Sequence, residues 1–302
     1  MTQKYYYTNV VAKETQALFL PAGILAAPDA ASSVILGRFA DGWGRHNVQH
    51  DLLVSATYLA ALNRFYFLGK YGLIKTIGGK GLQWTLANVR GRFEEALITE
   101  SRATAPLECI RTIDDQLYAC GWNGQIYVSS GGTWQQIETK KIADKANFIT
   151  VVGINARDIY AAGMGGIILH YDGTKWSRVD SPTNAHFYCS TVLNSAQVLL
   201  AGANGGIYLG NAAGFKFVGS NEVTENFWSA AEFKGTIYLT ASKNSIWTLS
   251  ATGPAPMSLN VEGDVTTYRL FATQERLFSA GAYDLLEFDG STWSRIDCSE
   301  NR

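Results

Sequence analysis

The feature that most restricts what this chain can fold into is its self-similarity. Residues 159–179 read IYAAGMGGIILHYDGTKWSRV, residues 117–137 LYACGWNGQIYVSSGGTWQQI and residues 277–296 LFSAGAYDLLEFDGSTWSRI. Weaker copies begin at Phe65, Val198 and Ile237. A shared glycine falls at Gly69, Gly121, Gly163, Gly202 and Gly281, with Ala241 in its place once, giving intervals of 52, 42, 39, 39 and 40 residues. A period near forty divides 302 residues into about seven units, and the stretch from Ser33, with Asp41-Gly42 and Trp43, supplies the N-terminal one.

Each unit reads as four short strands. In the fourth unit they are expected at 148–155, 158–163, 167–171 and 175–180. Turn pairs recur between the second and third strands (Asn123-Gly124, Gly165-Gly166, Asn204-Gly205, Lys243-Asn244, Tyr283-Asp284) and between the third and fourth (Asp41-Gly42, Gly131-Gly132, Asp172-Gly173, Asp289-Gly290). Such pairs supply the positive φ that tight hairpins need, so the glycines have a steric purpose. Walker and Rossmann spacings are absent. Trp43, Trp84, Trp134, Trp176 and Trp293 are expected to open the fourth strand, with Phe217 replacing Trp in the fifth unit. One large ring per unit implies packing between neighbouring units. On that reading Trp176→Ala costs roughly 3–5 kcal/mol.

These observations specify an all-β fold, a seven-bladed β-propeller with four antiparallel strands per blade. The expected blades of a single domain over 1–302 are near 5–48, 50–90, 106–138, 147–180, 186–219, 226–262 and 266–298. The chain reads as starting with an innermost strand and ending with an outermost one. The seventh blade is then complete in itself, and side-chain packing between blades one and seven closes the ring.

Composition excludes several function classes. Hydrophobic residues make up 47% and charged residues 17%, which is no disordered chain. With 25 basic and 26 acidic residues the formal charge is −1, without the basic excess that nucleic acid or anionic membrane binding requires. No apolar run is long enough to span a membrane. Cys109, Cys120, Cys189 and Cys298 lack the spacing of a zinc ribbon or a disulfide framework. They read as small buried thiols of a cytoplasmic protein, with Cys109 and Cys120 placed to face each other across a hairpin. Residues 17–27 (ALFLPAGILAA) look like a signal h-region, and a periplasmic or secreted protein follows if residues 1–27 are a signal. Glu14, Pro21, Gly23 and the strand-like YYYTNVVA before it favour a strand instead.

No catalytic residue, metal site or cofactor is expected. His46 and His50 (HNVQH) lack the Glu of HExxH and sit in a strand and a connector. His170 reads as a satisfied sheet residue and His186 as part of a connector. Asp114-Asp115 belongs to a turn, Glu94-Glu95 is a second adjacent carboxylate pair, and no GxSxG elbow occurs.

The pattern hYAAGxxGxIhhYDGxxWxxh, read at 159–179, resembles bacterial seven-bladed propeller repeats of the broad BNR/Asp-box-like class, found in photosystem assembly factors and sialidase-like proteins. The resemblance runs from about Ala17 to Ile296 and implies architecture rather than activity. Asp172-Gly173-Thr174-Lys175-Trp176 lacks the residue that an Asp box places between Asp and Gly, and the sialidase arginine motif has no match.

The remaining signal is in the loops. Second-to-third turns and blade connectors share one face of a propeller. Two long segments, 23–32 and 90–106, are expected on that face. Repeat proteins often bind through the face carrying such insertions. The second is expected to form a helix of about ten residues in the blade 2–3 connector, docking Phe93, Leu97 and Ile98, exposing Glu94, Glu95 and Arg102, and stopping at Pro106. The candidate partner-binding residues are Tyr71, Trp122, Asn123, Asn204, Lys243 and Tyr283 at hairpin tips, with Arg92 and Glu95 from the insertion. Exposed Trp and Tyr are typical interface anchors. Lys140, Lys141 and Lys145 on one connector oppose Glu222 and Glu225 on another, a charge pattern suited to orienting a partner.

The expected function is a non-catalytic propeller presenting one loop face to a protein partner, in its specific form a bacterial immunity protein that occludes a toxin. The alternative is a carbohydrate-binding or glycoside-hydrolase-like propeller of sialidase type, working through a central pocket. A third reading, which the family resemblance implies, is an assembly factor for a cofactor protein.

Overall fold

The computed structural model describes residues 4–26, 32–99, 101, 105–194 and 196–301. Among them are seven antiparallel sheets, each filled in chain order from its inner to its outer strand. In blade one Tyr5–Tyr7 and Val11–Lys13 both pair with Ala17–Ile24, and Ser32–Phe39 and Gly42–Gln49 follow. Blade two is Leu53–Leu59, Arg64–Gly69, Leu73–Gly78 and Glu94–Leu97. Blade three is Leu107–Ile113, Gln116–Gly121, Ile126–Ser130 and Thr133–Gln136. Blade four is Phe148–Asn155, Asp158–Gly163, Ile168–Tyr171 and Trp176–Arg178. Blade five is Phe187–Asn194, Gln197–Gly202, Ile207–Asn211 and Gly214–Phe217. Blade six is Phe227–Phe233, Thr236–Ala241, Ser245–Ser250 and Gly253–Pro256. Blade seven is Arg269–Ala272, Leu277–Ala280, Leu285–Phe288 and Trp293–Arg295. The protein is an all-β, seven-bladed propeller.

The second strands are continuous apolar runs because both faces of a blade are covered. Along Leu117–Cys120 successive side chains point to opposite faces. Ala119 packs toward blade two with Leu68, Ile74 and Ile110. Tyr118 and Cys120 pack toward blade four with Phe148, Ala161 and Leu169. Seven buried clusters among the described residues match the seven blade-to-blade contacts.

One of these clusters closes the ring, combining Phe278, Ala280, Leu285 and Ile296 with Tyr5, Tyr7, Leu18 and Leu20. Blade seven uses its own four strands, as the sequence leads one to expect. Polar contacts reinforce the seam. The Asn301 side chain accepts the Lys4 and Tyr5 N–H groups at 3.1 and 2.8 Å and donates to the Tyr5 carbonyl and Tyr7 hydroxyl at 3.2 and 3.0 Å. The segment Ala17–Ile24 that resembles a signal h-region is the buried second strand of blade one. Residues 1–3 and 27, at the ends of that candidate signal, lie outside the described residues.

The repeated rings fill the contact with the preceding blade. Trp43, Trp84, Trp134, Trp176 and Trp293 each join such a cluster. Two expectations need correction. In blade five the equivalent ring is Phe215, which pairs with Gly210 and is buried, whereas Phe217 is exposed. In blade two Trp84 precedes the fourth strand instead of opening it. Its ring still reaches Phe19 and Phe65, at 6.0 and 5.0 Å between centroids.

The helix expected after Arg90 is absent. Glu94–Leu97 is the outer strand of blade two, held by cross-strand pairing to Leu73–Thr76. Arg64–Glu94 and Lys75–Glu95 ion pairs at 2.6 and 2.7 Å add to it. A single helical turn, Leu86–Val89, lies earlier, between the third and fourth strands. The extra length of this unit therefore sits in residues 79–93, a third-to-fourth connection on the side of the propeller opposite the second-to-third turns. The inserted residues of blade two do not share a face with the second-to-third loop of blade one. Of the expected segment 90–106 only the connector after Leu97 reaches that face, where the Ile98 N–H donates to the Gly72 carbonyl and the Trp122 N–H to the Pro106 carbonyl. The connector to blade three is of ordinary length, and residues 100 and 102–104 of it, including Arg102, lie outside the described residues. So do residues 27–31 of the blade-one loop.

Candidate partner-binding face and channel mouth

The face bearing the second-to-third turns is built from the inner strands outward. In five blades the inner strand carries a β-bulge at the same point, between Leu53 and Ser55, Leu107 and Cys109, Phe148 and Thr150, Phe187 and Cys189, and Phe227 and Ser229. The first residue of each pair is buried between blades. A bulge re-aims the inserted side chain. The inserted residues are Val54, Glu108, Ile149, Tyr188 and Trp228, which line the groove or channel at the ring centre or stand beside it.

Aromatic rings crowd one arc of this mouth. Tyr188 stacks on Trp228 at 4.9 Å, and Trp228 meets Tyr268 at 6.1 Å. The Arg269 guanidinium lies over the Tyr268 ring at 4.4 Å, and its Nη1 donates to the Trp228 carbonyl at 2.9 Å. A groove of about 560 Å³ runs from Tyr6 and Thr8 past Glu108 and Trp228 to Lys243. Burial raises the Glu108 carboxyl above the usual carboxylate range, opposed by a hydrogen bond with the Trp122 side chain and by the charges of Arg269 and Lys70.

The outer rim is fixed by a recurring device, in which a side chain just before an inner strand accepts an N–H from a turn. Asn147 Oδ1 accepts from Asn123 at 3.1 Å, and Asn226 Oδ1 accepts from Asn204 at 3.0 Å. Asp51 does the same for Tyr71, and Thr266 Oγ1 for Tyr283, each at 3.0 Å. His186, which reads from sequence only as a connector residue, accepts the Gly165 N–H through Nδ1 at 2.9 Å. At Asn123-Gly124 and Asn204-Gly205 all four residues have φ between 53° and 77°, which Asn and Gly tolerate.

Of the candidate residues, Tyr71, Trp122, Asn123, Asn204, Lys243 and Tyr283 lie at turns on this one face, spread over blades two, three, five, six and seven. Tyr71, Trp122 and Tyr283 are exposed. Lys243 forms an ion pair with Glu225 at 2.8 Å. Arg92 lies elsewhere, beside Gln83 and Asn88 on the opposite side, and Glu95 lies on the outer strand of blade two.

Sequence reasoning missed Glu108, Tyr188, Trp228, Tyr268 and Arg269. A signal for three of them was in the frame of the repeat. Phe187-Tyr188, Phe227-Trp228 and Thr267-Tyr268 occupy one register position, a buried residue followed by an aromatic.

His170 and His46 belong to sheets, and His50 is an exposed bend residue just after the outer strand of blade one. His170 Nε2 meets Asp158 Oδ1 at 2.9 Å, and His46 stacks on Phe93 at 4.1 Å. All four cysteines are free and buried, and Cys109 pairs directly with Cys120 across the strands. Among the described residues no helix is long and apolar enough to cross a membrane, and no three His, Cys, Asp or Glu side chains cluster as metal ligands.

No family model matches this chain. It is 27% identical over 264 residues to the immune protein Tsi7 of Pseudomonas aeruginosa, covering 83% of this chain and 78% of that protein. Among solved structures, the WD40 β-propeller domain of Doa1 aligns with a TM-score of 0.70 at 11% identity, covering 98% of this chain and 95% of that one. YCF48 from Cyanidioschyzon merolae aligns with a TM-score of 0.68 at 11% identity over 100% and 98% of the two chains. YCF48 bound to D1 peptide gives 0.68 at 10% identity over 96% and 95%. These chains share the fold, and along most of its length this seven-bladed propeller is similar to an immune protein.

Proposed function

We propose that this chain is a non-catalytic immunity protein that neutralises a protein toxin by binding it through the face of the second-to-third turns. The observation that carries this is the similarity to Tsi7, an immune protein by name, over most of both chains. The face supplies what such binding needs. Exposed Tyr71, Trp122 and Tyr283 stand around a mouth walled by Tyr188, Trp228 and Tyr268, on a rim pre-ordered by hydrogen bonds. Aromatic anchors on a rigid support lose little entropy on binding. Asn123 and Asn204 are rim contacts in this reading, and Lys243 a charged one. Arg92 and Glu95 stand apart from it.

The same proposal places the protein in the cytoplasm, where its four thiols stay reduced. It also keeps the Asp-box-like affinity of the repeats, on the strength of Asp172 and Asp289. Each caps its own hairpin, Asp172 Oδ1 accepting the Thr174 and Lys175 N–H groups and Asp289 Oδ1 those of Ser291 and Thr292. The carbohydrate-active reading has weaker support. Glu108 and Glu232, the carboxylates of the channel lining, lie at opposite ends of their inner strands, a poor arrangement for shared acid/base work.

The test is co-expression of this chain with candidate protein toxins of the organism it comes from. Wild type should restore growth and co-purify with one of them. Tyr71→Ala combined with Trp122→Ala should weaken binding by about 2 kcal/mol or more, the range of interface hot spots. Unchanged calorimetric affinity in that double variant would move the interface to another face, and failure of wild type to protect would end the immunity reading.

A further inference from the structure

The channel beneath the mouth has a chemistry of its own, independent of any partner. It encloses a cavity of about 340 Å³. At one level of the inner strands five blades carry a small side chain: Ser55, Cys109, Thr150, Cys189 and Ser229. The residue in that register position of blade seven is Arg269. Arg111 lies two residues further along the inner strand of blade three, roughly 7 Å deeper by strand rise.

The hydroxyls around them are occupied in joining blades. Ser55 Oγ accepts the Ile110 N–H at 3.1 Å, Ser229 Oγ that of Leu270 at 3.0 Å, and Thr150 bonds Ser190 at 2.6 Å. Arg269 also bridges two blades, since its Nη1 donates to the Trp228 carbonyl of blade six, but neither guanidinium has all its N–H groups taken up. Neither makes a salt bridge to a carboxylate among the described residues. Arg111 Nη1 donates only to the carbonyl of its neighbour Ile110, at 3.1 Å. Arg269 is held by Trp228 and Tyr268, but its Nε is buried with no acceptor. A buried donor in a native protein normally has a partner.

The two charges act on the same part of the channel. Burial pushes the Cys189 thiol up to about 12, and Arg269 and Arg111 both pull against it. The same two charges favour ionisation of Cys109, whose thiol is lowered first by its hydrogen bond with Cys120. Of the lining carboxylates, Glu108 lies at the mouth end within reach of the Arg269 charge but forms no ion pair with it, and Glu232 lies at the other end and accepts the Gly235 N–H.

We propose that the channel binds a small soluble oxyanion, a phosphate or a carboxylate, between the guanidiniums of Arg269 and Arg111. Guanidinium N–H groups in a partly desolvated cavity match such oxygens, and the charge-assisted bonds are among the strong ones. A ligand there would touch blades three and seven at once, and so tie the closing seam of the ring to its far side.

The experiment is calorimetric titration of the purified chain with sodium phosphate and, separately, with sodium citrate, in chloride buffer at constant ionic strength. Wild type should bind at least one of them saturably at one site, and the comparison says which oxygen chemistry the channel prefers. Arg111→Gln and Arg269→Gln should each weaken that binding by about tenfold or more, as expected for losing a charged hydrogen bond. Should Arg269→Gln fail to fold, Arg111→Gln decides the matter, since that side chain bonds only its own strand. No saturable heat with either anion, or equal affinity in a folded Arg111→Gln, would overturn the proposal. Neither result bears on toxin protection, so this inference and the proposed function fail separately.

Discussion

His46 shows how one residue records its surroundings. Its ring lies against Phe93, and its Nε2 is buried without a partner. Burial, then the charge of Lys75, lowers its pKa below the ordinary histidine value, with Glu95 partly opposing. The folded state thus binds the proton less readily than the unfolded chain. The stability His46 gives is present above about pH 6.5 and is lost as pH falls toward the lower folded value. Urea midpoints measured at neutral and mildly acidic pH should diverge in wild type, and His46→Phe should narrow that gap. An unchanged gap would mean the imidazole is solvated in solution. In the exposed hairpin aspartates the fold favours the charged form instead of the neutral one, with the same loss on acidification but at far lower pH. Hydrogen bonds from Thr174 and Lys175 hold Asp172 down to about 2, so its turn is secure through the neutral range and opens only in strong acid.

Elements in this protein are decided by what covers them. The run FEEAL looks helical by composition, yet Glu94–Leu97 is a strand because blade two otherwise exposes the edge of Leu73–Gly78. Tertiary pairing outweighs weak local propensity. The repeated Trp shows the same dependence. Trp293 is 4% exposed and stacks on Phe288 at 4.8 Å, whereas Trp176 is only partly buried against Tyr171. Trp293→Ala should therefore cost about 3–5 kcal/mol in urea unfolding, and Trp176→Ala less than that. Equal losses would imply that the cluster, not the burial of each ring, sets the cost.

Closure is a property of the whole molecule, carried by the buried cluster between blades one and seven and by Asn301. Asn301→Ala leaves the N–H groups of Lys4 and Tyr5 without their acceptor and should cost about 2–4 kcal/mol, read as a lowered urea midpoint. A change under about 0.5 kcal/mol would show that the apolar seam alone closes the ring. The period near forty, the turn pairs and the apolar second strands made seven blades of four strands legible in the sequence, because each is a local requirement of backbone geometry or of burial on both faces. Hairpin tips such as Trp122 and Asn204 were legible for the same reason. The placement of the extra residues of blade two was not, since an interval of 52 between Gly69 and Gly121 is the same whether the insertion falls before or after the fourth strand. Nor was the mouth, where Glu108, Trp228 and Arg269 meet from blades three, six and seven. Glu108 is more than a hundred residues from the other two and becomes their neighbour only when the ring closes, and no spacing along the chain encodes that distance.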